Sequence, residues 1–155
     1  VDVVSSVPGE MFTQMRTALA YDRILEFTDT PDIAFAPTIT HKDVLEFATI
    51  DGARSIGLED RVGSLTPGKQ ADIVLLKANA INTAPMVDPI GTIVVFADTS
   101  NVDSVFVAGR AVKRNGELVG ANLDNVFAKL DESRNHILSA GELLPDWAAE
   151  PMAAV

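Results

Sequence analysis

Side chains able to carry chemistry are scarce in this sequence, and their spacing is as informative as their type. Cysteine is absent, so disulfides, thiolate zinc sites and cysteine nucleophiles are excluded together. The only histidines are His41 and His136, whereas a metal site built on imidazoles needs three or four ligands. His41 follows Thr40 and has Lys42 and Asp43 beside it, a setting that predicts a solvent-facing ring. His136, next to Arg134 and Asn135, is read the same way. The pair Ser5-Ser6 has no neighbouring base to activate a hydroxyl. Asp124, Asp131 and Glu132 read as the solvated face of a helix. That leaves Asp2, which taken alone is a solvated carboxylate near a terminus, because one carboxylate cannot hold a catalytic metal.

The elements that would position these residues emerge from the apolar pattern. Pro8-Gly9 punctuates the start, and a helix is predicted over 10–27, with Met11, Phe12, Met15, Ala18 and Leu19 on one stripe. Asp22 and Arg23 interrupt the stripe, so the helix either ends early or turns its face. Thr28 to Pro37 reads as a connection. A second helix begins at Thr40, which forms a capping box with Asp43 and buries Val44, Leu45, Phe47 and Ala48. Asp51-Gly52 is predicted to break or kink it, and a short helix through Ala53 and Ile56 stops at Gly57.

From Arg61 the period changes. A turn at Pro67-Gly68, with Lys69 exposed on it, leads into a strand over 71–76. Val102 to Val107 is a second strand, and Ala108-Gly109 turns it into Arg110 to Lys113. Asn115-Gly116 is the strongest hairpin signal, with Glu117 to Val119 returning. Ile90 to Phe96 is ambiguous, since its β-branched composition favours strand but nothing fixes its period. A last helix runs over 122–140, anchored by Val126, Leu130, Ile137 and Leu138. The order of elements is an α+β arrangement, and the tail after Gly141 reads as an extended arm or frayed end.

At 155 residues the chain can build one hydrophobic core. Its formal net charge of −10 repels phosphate backbones and anionic headgroups, so neither nucleic acid nor membrane is expected as a partner. No apolar run approaches the roughly 20 residues of a membrane span. The N-terminal residues do not resemble a signal peptide. Without an initiator Met, the N-terminus reads as that of a processed or truncated chain. Lack of an export signal and of cysteine fits a cytoplasmic protein.

One stretch carries a specific resemblance. Ala48-Thr49-Ile50-Asp51-Gly52-Ala53-Arg54-Ser55-Ile56-Gly57-Leu58 is followed by Gly63-Ser64-Leu65-Thr66-Pro67-Gly68-Lys69-Gln70-Ala71-Asp72-Ile73-Val74. This resembles a signature near the C-terminus of metal-dependent amidohydrolases of the cytosine deaminase and chlorohydrolase type. Val102-Asp103-Ser104-Val105-Phe106-Val107-Ala108-Gly109-Arg110 resembles the sandwich strand and hairpin that come next in that family. With the last helix, the resemblance covers about Val1 to Ala140. The signature itself is scaffold: Gly52 and Gly57 serve helix geometry, Pro67-Gly68 makes a turn, and Asp72 bonds the amides of a neighbouring turn.

The resemblance implies a fragment of a (β/α)8-barrel hydrolase. Residues 1–60 would be the end of the barrel, with its last helices. Residues 61–120 would be half of a small composite β-sandwich, and 121–155 a C-terminal helix and tail. In complete members the metal, zinc or iron, is held by a His-x-His pair on the first strand, histidines on the fifth and sixth, and an aspartate after the eighth. Val1-Asp2-Val3-Val4-Ser5-Ser6 is similar to the end of that eighth strand. Asp2 is therefore implied to be the metal-site carboxylate, which also accepts a proton from a metal-bound water whose pKa falls toward about 7 on zinc. Ser5 and Ser6 would line the rim of the substrate pocket.

The implied activity is hydrolysis of non-peptide C–N bonds, by deamination or dechlorination of a heterocyclic amine, in a complete enzyme. The chain alone is expected to be inactive and metal-free, with the N-terminal remainder as its partner. The alternative is a non-catalytic binding or oligomerisation module built on the sandwich. Uncovered apolar surfaces on the helix over 10–27 and the strand over 71–76 would make either form self-associate.

Overall fold

The computed structural model describes residues 8–29 and 38–141. It divides between Val119 and Gly120 into two compact units. In the first unit, helix α1 (Met11–Asp29) opens behind Glu10, whose carboxylate accepts the Thr13 amide at 2.9 Å. Asp22 and Arg23 do not interrupt the helix. The Asp22 carboxylate accepts the Ile39 amide at 3.2 Å, and Arg23 reaches His41 at 3.5 Å, so both polar side chains serve the neighbouring segment.

Helix α2 (His41–Phe47) is capped as expected. The Thr40 amide donates to Asp43 at 2.7 Å, and the Asp43 amide donates to the Thr40 hydroxyl at 3.3 Å. The break before α3 (Ile50–Ser55) comes earlier than Asp51-Gly52. Thr49 leaves helical geometry and its hydroxyl donates to the Leu45 carbonyl at 2.7 Å, ending α2, while Gly52 lies inside α3. Gly57, with φ of +69°, comes after α3 as the predicted left-handed stop.

The segment 90–96 is helical rather than extended. Asp88 caps the Ile90 amide at 3.1 Å and Pro89 takes the first position of α4 (Pro89–Gly91), an arrangement that starts helices. A π-helical turn, Thr92–Phe96, continues it and closes with the Ala97 amide on the Thr92 carbonyl at 2.9 Å. The turn brings Val94, fully buried, against Met15, Leu19 and Val44. This burial outweighs the β-branched preference for strand. Arg16 ties α1 to the turn's end by donating to the Ala97 carbonyl at 2.7 Å.

The sheet is antiparallel, in the order β1 (Ile73–Leu76), β2 (Val102–Val107), β3 (Arg110–Arg114), β4 (Glu117–Leu118). Val74 faces Val105 across the first ladder, and Val107 faces Arg110 beside the first hairpin turn. Both hairpins use paired positive φ: Ala108 at +48° with Gly109 at +79°, and Asn115 at +53° with Gly116 at +86°. That is the turn geometry whose twist suits flanking strands. Asp72 does bond the adjacent turn, accepting the Ala108 amide at 2.6 Å. Lys69 differs from its expected exposure. It is half-buried, and its ammonium donates to the carbonyls of Glu59 and, at 3.3 Å, Val62.

In the second unit, α5 (Leu123–Ala140) starts at Asn122, which accepts the Asn125 amide at 3.0 Å. The expected anchors do not anchor. No residue of α5 is buried, and Val126, Leu130 and Ile137 are exposed while Leu138 is half-buried. Their helical spacing makes an apolar stripe, but a stripe alone does not supply the surface that would cover it. Among the described residues no helix is long and apolar enough to cross a membrane.

Candidate functional site

The residues singled out from sequence do not meet in one place. Asp2, Ser5 and Ser6 lie outside the described residues. His136 is exposed on α5, where the nearby Asp131 pairs with Arg134 at 2.9 Å. Asp124 and Glu132 are likewise exposed. Among the described residues no three His, Asp or Glu side chains converge as metal ligands. These residues by themselves therefore do not fit a divalent metal.

His41 departs from its expected place in solvent. It sits half-buried at the start of α2, with Arg23 on one side and Asp88 on the other. Its Nε2 is 3.5 Å from Arg23 Nη2, and its Nδ1 is 3.9 Å from Asp88 Oδ2. A ring carrying its proton on Nδ1 suits both neighbours: the proton faces the carboxylate, and Nε2 accepts from the guanidinium. The other oxygen of Asp88 is held by the Ile90 amide at 3.1 Å. Gly91 makes room for this arrangement. A Cβ there would collide with Asp88 Oδ2 and stand 3.3 Å from His41 Nδ1.

The three side chains form one wall of an open cleft of about 610 Å³. Pro85, Val87, Val95 and Phe96 supply apolar lining, with Val87 and Phe96 well exposed. The 80–85 loop that carries Asn82 and Pro85 is fastened from below. Asn82 and the fully buried Asn101 exchange side-chain amide hydrogen bonds of 2.9 and 3.0 Å, and Asn82 also donates to the Phe96 carbonyl at 3.0 Å. A buried amide pair satisfied in this way rigidifies its surroundings. Arg23, Asn82 and Asp88 had no functional reading in sequence. Only the Asp88-Pro89 helix start was a usable signal, and it spoke of structure.

Several acidic groups outside the cleft are held ionised. The Ser100 hydroxyl and amide keep Asp98 below the ordinary carboxylate range. The Ser104 hydroxyl, opposed by slight desolvation and helped by Lys77 at 3.3 Å, does the same for Asp103. These are turn and strand contacts, not acid–base machinery.

Helices followed by a small antiparallel sheet, with the turn chemistry described above, define a class that comparison with known proteins identifies. The sequence profile of the amidohydrolase family matches residues 2–112, and the chain belongs to that family. It is 28% identical over 128 residues to a 5-methylthioadenosine/S-adenosylhomocysteine deaminase of Teredinibacter turnerae, covering 83% of this chain and 27% of the relative. It is 45% identical over 80 residues to an S-triazine hydrolase of Gordonia rubripertincta, covering 52% and 17%. Among solved structures, an adenosine deaminase of Xanthomonas campestris with bound zinc superposes with a TM-score of 0.71 at 30% identity, over 83% of this chain and 28% of that one. An atrazine chlorohydrolase of Arthrobacter aurescens complexed with zinc shares the fold, with a TM-score of 0.65 at 21% identity over 76% and 25%. The chain thus spans under a third of the length of these relatives.

Proposed function

We propose that this chain is the C-terminal portion of a metal-dependent hydrolase that acts on non-peptide C–N bonds of heterocyclic amines. In this reading α1 to α3 are the last helices of a (β/α)8 barrel, covering residues 1–60. The four-stranded sheet within 61–120 is half of a small composite sandwich, and 121–155 is a C-terminal helix and tail. The observation that carries the proposal is the family match over residues 2–112 in a chain covering 27% of the deaminase it resembles. Deaminases and a triazine hydrolase recur among the relatives, which supports ring deamination or dechlorination as the activity of the whole.

Asp2 is the residue we assign to the metal centre of the complete enzyme, with zinc or iron as the metal and the N-terminal remainder supplying the other ligands. The zinc bound in the related adenosine deaminase supports the choice of a divalent metal. The chain on its own offers two histidines and no cysteine, too few donors for a catalytic site. We therefore assign it no activity by itself, and we place it in the cytoplasm.

Asp2→Asn in the complete enzyme tests the assignment. A ligand that also handles a proton is worth several orders of magnitude in rate, so kcat is expected to fall by about 10³-fold or more with the protein still folded. A variant that keeps its metal and loses less than about ten-fold would remove Asp2 from the site.

A further inference from the structure

The Arg23–His41–Asp88 wall carries an inference independent of the metal centre. Among the described residues no carboxylate stands within ion-pair distance of the Arg23 guanidinium. Its one described partner is Nε2 of His41, at 3.5 Å. Asp88, the carboxylate on the same wall, is already turned to the Ile90 amide and to His41. Arg23 is thus oriented by its neighbour with no carboxylate paired to it among the described residues, and a guanidinium in that state offers paired donors to an anion.

The rest of the cleft mixes the polar Asn82, Thr83 and Thr92 with the apolar Pro85, Val87, Val95 and Phe96. Val87 is 90% exposed and Phe96 is 59% exposed, and both line the same cavity as Arg23. At about 610 Å³ the space is of the size that small-molecule sites occupy. Glycine at position 91 lets the Asp88 carboxylate keep its present place beside His41, since a Cβ there would push that carboxylate aside, and the Asn82–Asn101 pair fixes the 80–85 loop. An apolar floor beside one oriented cation selects an organic anion over either a simple ion or a neutral ring.

We propose that this cleft binds a small aryl or similarly apolar carboxylate, with Arg23 pairing the anion and Phe96 with Val87 covering the ring.

Titration of the isotope-labelled protein with benzoate, monitored by amide chemical shifts, tests this directly. Saturable shifts are expected at Arg23, His41, Val95 and Phe96. Benzamide, which lacks the charge, and acetate, which lacks the ring, are each expected to bind about ten-fold more weakly. R23Q is expected to weaken benzoate by a similar factor, the loss of a charge-assisted contact. F96A should also weaken it and gives a second reading on an exposed side chain. R54Q, on α3 and paired with Asp51, should leave it unchanged. Equal binding to R23Q and the parent protein would overturn the proposal. So would shifts gathered at Val74 and Leu75 instead, or no saturable binding of benzoate.

Discussion

Thr40 and Asp43 illustrate how far one pair of side chains can be read from sequence, and they bear directly on stability in acid. The Thr40 hydroxyl and amide hold the Asp43 carboxyl below its usual range. Asp98 and Asp103 are depressed for related reasons. A carboxylate with a lowered folded-state pKa contributes stability that is fully present above the unfolded value of about 4 and is lost as pH falls through the folded value. Urea midpoints are therefore expected to hold from pH 7 to about 5 and to drop below about 4, with a shallower drop in Thr40→Val. A midpoint that rises on acidification would contradict this. The capping box was legible because both partners lie within one turn. The partners of Lys69 and His41 were not, because Glu59, Arg23 and Asp88 are brought to them by tertiary structure. Lys69→Met leaves two carbonyls without their ammonium and is expected to cost about 1–3 kcal/mol by chemical denaturation.

At the scale of elements, glycines separate local from tertiary demands. Gly63 has φ of +83°, and a Cβ there would lie 2.8 Å from Ala53 Cβ and 3.0 Å from Ile50 Cα, against α3. Gly116 has φ of +86°, with nothing within 4 Å of such a Cβ. Gly116→Ala should cost only the backbone penalty of about 1–2 kcal/mol. Gly63→Ala should cost more than that, because helix and loop must also part. Comparable losses in thermal or denaturant unfolding would mean that the loop over 61–70 does not pack on α3. The hairpin glycines could be read from sequence since turn type alone demands them, and both hairpins formed where predicted. The segment 90–96 could not, because its helicity comes from Val94 seating among Met15, Leu19 and Val44 rather than from its own composition. The same limit explains α5, where helical periodicity named anchors that are exposed.

For the whole molecule, linked pieces of scaffold identified the family, while the metal site stayed out of reach. Turns and caps are local, whereas a metal centre gathers ligands from separate strands. The apolar side chains Tyr21 and Leu25 on α1, with Val74 and Leu75 on β1, are exposed, and under the proposed reading the remainder of the enzyme covers them. We expect the chain alone to self-associate at about 10–100 μM through them. Sedimentation velocity showing an unchanging monomer across that range would contradict this. Metal content measured together with turnover tests the origin of catalysis most directly. The purified chain, loaded with zinc and dialysed, should retain no stoichiometric metal and release no ammonia or chloride from heterocyclic amines, whereas the complete enzyme should do both. One equivalent of tightly held zinc in this chain alone, accompanied by multiple turnovers, would contradict the account.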